Sequence, residues 1–178
     1  VAGLSPPGAG VNQVTLTLHM SQASGGASNV SLHRALANWG EGASNATGGE
    51  GGGAPSATGD ATWIHTFFNA SLWANPGGDF DALASATTSA NAVNFYSWTS
   101  GTMVSEVQNW LDSPDGNFGW MLRGDEATAS SAKRFDSRES LTANFRPVLL
   151  IDYTPVPGPG AAVVLMAGLA VAGRRRRR

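Results

Sequence analysis

Cysteine is absent from the 178-residue chain, which excludes disulfide staples, thiolate metal centres and a cysteine nucleophile. Charge is scarce: Asp, Glu, Lys and Arg make up 13%, against roughly 25% in an average globular domain, and the only lysine is Lys133. So few charges exclude a solvent-laced coiled coil or helical bundle. No apolar run reaches the 18 residues expected of an ordinary membrane span. Basic residues are few and unevenly placed, since five of the eleven are Arg174, Arg175, Arg176, Arg177 and Arg178. Six basic residues then stand against thirteen acidic ones, a net charge of −7 for the chain before that run. An acidic body repels phosphate backbones, so nucleic acid is not an expected partner.

What is present is glycine, 23 residues of it, and short apolar segments between turns. Val14–Met20 alternates apolar and polar residues with period two, which predicts a half-buried strand. Further strands are expected over Val30–Leu36, with Val30, Leu32 and Leu36 on one face, and over Thr62–Phe67, Val93–Trp98, Phe118–Arg123, Lys133–Asp136 and Val148–Tyr153. Residues 42–59 read as a Gly/Ala/Ser/Thr loop and residues 69–92 as irregular. In 102–112 the period changes. Met103, Val107, Trp110 and Leu111 fall at i, i+4, i+7 and i+8, which predicts a helix with Thr102 as its N-cap and a stop at Ser113-Pro114-Asp115-Gly116. Short strands joined by turns, with one short helix, predict an all-β antiparallel sandwich.

The last residues have a different composition. Pro155-Val156-Pro157-Gly158-Pro159-Gly160 precedes thirteen small or apolar residues, 161–173, and then the five arginines. Counted from Gly160, at 1.5 Å per residue the apolar stretch makes about 21 Å of helix, a short span that the arginines can extend by snorkelling and orient with the basic end in the cytoplasm. This tail resembles the PEP-CTERM sorting signals of Gram-negative bacteria, with Pro157, Gly158 and Pro159 standing where that signal has Pro-Glu-Pro. The resemblance implies an exosortase-like processing enzyme as a partner, transient residence in the inner membrane, and release to the cell surface or the extracellular space. The chain begins at Val1 without a basic or strongly apolar leader, and a sorting tail implies export, so a processed or partial chain is expected.

A second resemblance runs through the body. Val14-Thr15-Leu16-Thr17-Leu18, Trp39-Gly40-Glu41, Thr62-Trp63, Val107-Gln108-Asn109-Trp110, Asn117–Leu122, Phe135-Asp136-Ser137-Arg138-Glu139 and Arg146-Pro147-Val148-Leu149 follow one another in the order of a DNRLRE-type domain. That family is a secreted, carbohydrate-binding-module-like β-sandwich. The resemblance implies a jelly-roll-like sandwich over residues 1–153, lacking the family's opening strand and without a catalytic centre of its own. The expected organisation is then the sandwich, a Pro/Gly sorting motif over 154–160, a short hydrophobic transmembrane helix over 161–173 and a basic tail over 174–178. A structural or polysaccharide-binding role follows. The alternative is a carbohydrate-binding module of a larger polysaccharide-degrading enzyme.

His19, His33 and His65 show no metal-ligand spacing and are expected at solvated or core-edge positions. Asp79 and Asp81 flank Phe80 and on a strand would share a face, which makes them the candidates for a Ca²⁺ site; otherwise no cofactor is implied. No serine elbow or phosphate loop is present. The tryptophans are the residues suited to stacking on a flat sugar face. Trp39, Trp63, Trp110 and Trp120 lie on apolar stripes and are expected in the core, whereas Trp73, beside the turn Asn75-Pro76-Gly77, is expected at the surface as the ligand contact. In Phe135–Glu139 the charges read as a structural network, with Arg138 or Arg146 pairing Asp136 or Glu139.

Overall fold

The alternating segment at the start of the chain grows into a 14-residue strand that organises half of the molecule. In the computed structural model, which describes residues 9–46, 53–125, 127 and 129–155, the elements are β1 (Gly10–Ala23), β2 (Ser28–Arg34), β3 (His65–Phe67), β4 (Ser71–Leu72), β5 (Ala86–Ala90), β6 (Asn94–Trp98), α1 (Gly101–Asp112), β7 (Trp120–Gly124), β8 (Lys133–Phe135) and β9 (Val148–Thr154). β1 pairs antiparallel with β6 along one edge. Its other edge is shared in series by β9, opposite Gly10–Thr17, and β8, opposite Met20–Ala23. A second antiparallel sheet has the order β5-β2-β7, and β3 and β4 form a separate hairpin.

Inward residues of both sheets meet in one core. Val14, Leu18 and Met20 of β1 and Trp98 of β6 pack with Val30 and Leu32 of β2 and Ala90 of β5. α1 closes this layer with Met103, Val107 and Trp110, the stripe that its periodicity predicted. The Trp98 indole N–H donates to the Val30 carbonyl (2.8 Å), so a fully buried side chain of one sheet satisfies the backbone of the other. The described residues are therefore mostly β, with antiparallel sheets and one α-helix. Lys133, the single lysine, clamps the turn from β1 to β2 by donating to the Ser24 (2.7 Å) and Gly26 (3.1 Å) carbonyls.

Several boundaries depart from the sequence reading. The helix is capped by Ser100, not Thr102: the Ser100 hydroxyl accepts from the Met103 amide (3.0 Å) and donates to the Ser85 carbonyl (2.6 Å). Residues 69–92 are not wholly irregular, since they contain β4 and β5; β5 is built of small residues that carry no apolar alternation. The strand expected over Thr62–Phe67 is confined to His65–Phe67 because the Thr62 hydroxyl folds back to accept from the Ile64 and His65 amides. Leu36 leaves the buried face: after the isolated bridge of Ala35 with Phe80 its amide turns to the Asp79 carbonyl, and its side chain is half exposed. No helix among the described residues is long and apolar enough to cross a membrane. The sorting motif Pro157, Gly158 and Pro159, the apolar stretch 161–173 and Arg174–Arg178 lie outside the described residues.

Candidate functional site

Edge strand β7 and the segment around the β3–β4 hairpin enclose the principal grooves. Trp63 precedes β3, and the turn Asn75–Gly78 follows β4. The Gly77 amide donates to the Trp63 carbonyl (2.6 Å), and the Trp63 ring lies flat enough on Gly77 that a Cβ there would stand 2.9 Å from its Cη2. Gly77 also has φ +94°, so both its backbone conformation and the indole above it require glycine. The turn is fixed from beneath by Asp79, whose carboxylate accepts from the Ala74 amide (2.8 Å) and from the Asn75 amide and side chain (3.0 Å each). These bonds, the Ala74 amide foremost, hold Asp79 below the usual carboxylate range against the opposing effect of desolvation.

Trp63 is held in this way yet is 68% exposed, and no acceptor among the described residues takes its indole N–H. Two hollows meet at it. One, of about 360 Å³, is walled by Trp39, Trp73, Trp120, Thr62 and Leu122; the other, of about 440 Å³, by Pro76, Phe80, Arg123 and Asp125. Trp63, Gly77, Met121 and Leu122 border both. The Arg123 guanidinium sits 4.4 Å from the Phe80 ring centroid, a cation–π contact that holds it in the wall.

The tryptophans thus divide differently from the sequence reading. Trp73 is not the exposed one. It is 8% exposed, and its N–H donates to the Thr62 carbonyl (2.9 Å), so it forms the base of a groove rather than a surface platform. Trp63 and Trp39, expected in the core, are 68% and 41% exposed. Trp110 and Trp120 do pack together, with centroids 4.6 Å apart. Trp120 is steered by Glu106, a residue the sequence reading passed over. This buried carboxylate on α1 accepts from Trp120 Nε1 (2.6 Å) and from the Ser85 hydroxyl (2.8 Å). Its one sequence signal was an acidic residue on the helix face shared with Met103, Val107 and Trp110.

Asp79 and Asp81 do not converge. Asp79 serves the 74–75 turn, while Asp81 accepts from the Leu83 amide (3.1 Å) and faces Arg34 at 3.4 Å. No group of three potential metal-ligating residues occurs among the described residues. Two of the histidines, His19 and His33, are buried, and His65 is half-buried. His19 lies on the outer face of β1 but is buried, with Nδ1 donating to Asp136 Oδ2 (2.6 Å) and its ring stacked on Phe145 at 3.7 Å. His33 is also buried; its Nδ1 donates to the Asp81 carbonyl (2.8 Å) and its Nε2 faces the Ser31 hydroxyl (3.0 Å). Phe135–Glu139 forms a network that includes one expected pair, Arg138 with Glu139 (2.8 Å); the other partners differ, since Arg138 also reaches Glu41 (3.0 Å), Asp136 binds His19, and Arg146 donates to the Ser140 carbonyl.

What fold and site define is an antiparallel β protein with two sheets on one core and a tryptophan-lined groove beside one sheet edge. No family model, curated protein or solved structure matches the chain.

Proposed function

We propose that this chain is a non-catalytic, exported β-sandwich that binds polysaccharide through the groove around Trp63, and that residues 154–178 act as its sorting signal. The observation that carries the binding reading is a large indole held rigidly on Gly77 with a free face and a free N–H, between two hollows of small-molecule size. Sugar rings present an apolar face that stacks on such a surface and hydroxyls that accept from its N–H. The passage of the chain from the β1 sheet to the β2 sheet and back, through β5 and β6 and again through β7 and β8, is in keeping with a jelly-roll-like, DNRLRE-type sandwich. An exosortase-like enzyme is the partner proposed for the tail, which places the protein transiently in the inner membrane and then at the cell surface or outside the cell.

Affinity electrophoresis in gels containing soluble polysaccharides tests the binding. The protein is expected to be retarded by at least one polymer and Trp63→Ala to migrate as in the polymer-free gel with an unchanged circular dichroism spectrum. Equal retardation of both proteins would remove Trp63 from the site. Replacing Arg174–Arg178 with serine tests the tail: membrane-bound precursor should be lost or processing impaired. Unchanged fractionation and unchanged mature mass would contradict the sorting role.

A further inference from the structure

We propose that the groove takes an uncharged polysaccharide and reads at least two consecutive sugar rings, one on either side of Trp63. This deepens the polysaccharide-binding reading and rests on it. Trp63, Gly77, Met121 and Leu122 line both hollows, so the exposed indole lies on their shared border. A single ring fills one hollow and leaves the other to water. A chain that crosses the indole places a ring in each and lays the linkage over the exposed ring face.

Charge decides the class of sugar. Among the described residues, the hollow walled by Trp39, Trp73 and Trp120 has no charged residue in its lining. A polyuronate carries a carboxylate on every ring, so any register sets one against this wall, where the described residues offer no cation to offset its lost hydration. The other hollow has one group of each sign among the described residues, Arg123 and Asp125. Arg123 makes no ion pair among the described residues and offers donors only; the Asp125 carboxylate offers acceptors, one of its oxygens already taken by the Ala127 amide (3.0 Å). Hydroxyls, which both donate and accept, match that wall. A carboxylate drawn to Arg123 meets Asp125 beside it and, beyond it, the net −7 of the chain before the arginine run.

Isothermal titration of the full chain separates the outcomes. The probes are glucose, cellobiose and cellohexaose, the xylose and maltose series of the same lengths, and hexamers of guluronate and mannuronate. A neutral hexamer should bind at least tenfold more tightly than its monosaccharide and than either uronate hexamer. Raising salt from 50 to 500 mM should leave that affinity unchanged within twofold, and Arg123→Ala should weaken it severalfold. A uronate hexamer that binds more tightly than every neutral one, with salt-dependent loss, overturns the inference while the binding reading stands. A monosaccharide as tight as its hexamer also overturns it. If none of these ligands binds, the inference falls together with the polysaccharide reading.

Discussion

Asp60 and Asp79 show how a chain with few charges uses the ones it has. Neither pairs with a cation among the described residues; each gathers backbone amides. Asp60 is buried and accepts from the Ala57 (2.6 Å) and Ser44 (3.4 Å) amides, joining the two described ends of the long loop, as Asp79 joins the turn beneath Trp63. The Ser44 hydroxyl foremost, then the Ala57 amide, holds Asp60 below the usual carboxylate range while desolvation opposes them. A carboxylate lowered in the folded state adds stability that is complete above its unfolded pKa, about 3.9, and is lost as pH falls through the lower folded value. Urea unfolding between pH 6 and pH 3 should therefore show stability falling from about pH 5 downward. Asp60→Asn and Asp79→Asn should each flatten that slope; a slope unchanged in both would mean that other carboxylates dominate the acid limb. Asp79→Asn should in addition loosen the Asn75–Gly78 turn on which Trp63 rests.

At the scale of elements, α1 substitutes for a strand. β6 accompanies β1 only over Leu16–Met20, so the edge of β1 before Leu16 has no ladder partner on that side. Gln108 of α1 fills the place: its Oε1 accepts from the Val11 amide (2.8 Å) and its Nε2 donates to the Ala9 carbonyl (3.2 Å), the two bonds a neighbouring strand would make. Thr99 continues the row by donating to the Val14 carbonyl (2.7 Å). Gln108→Ala leaves both backbone groups unpaired beside a buried Ala9, and should cost about 1–3 kcal/mol as a lower urea midpoint with an unchanged slope. Gln108→Glu keeps the acceptor and loses the donor, so it should fall between. A wild-type midpoint in Gln108→Ala would show that water replaces the amide at no cost. Periodicity made β1, β2 and α1 legible because large apolar residues mark the buried face at a fixed interval. It missed β4, which has two residues, and β5, whose Ala-Thr-Thr-Ser-Ala carries no such mark. The burial of Trp110 was legible from its helical stripe, whereas the exposure of Trp39 and Trp63 and the burial of Trp73 were not. Trp63 and Trp73 stand ten residues apart around one hairpin, and they differ because the Thr62 carbonyl meets one indole N–H while Gly77 supports the other ring from below.

For the molecule as a whole, the outer face of the β1 sheet is closed by chain that returns after β8. His19 and Thr17 point outward from β1, opposite Phe95 and Ser97 of β6. Alternation alone leaves such a histidine in water. It is buried because the segment from Asp136 to Phe145 folds across it. The Asp136 amide donates to the His19 carbonyl (2.9 Å), its carboxylate takes the imidazole Nδ1–H, and Phe145 and Phe95 enclose the ring at 3.7 and 4.8 Å. The Phe135–Glu139 motif is thus joined to the middle of the longest strand, 117 residues earlier in the chain, by a polar pair inside an aromatic sleeve. A double-mutant cycle of His19→Ala and Asp136→Ala should return a coupling of about 0.5–3 kcal/mol, whereas His19→Ala with Asp79→Asn, which share no partner, should be additive. Phe145→Ala should expose His19 and shift its NMR resonances without moving those of Trp63. If the His19–Asp136 cycle is additive, the segment lies on the sheet through the phenylalanines alone and the polar pair adds nothing to the closure.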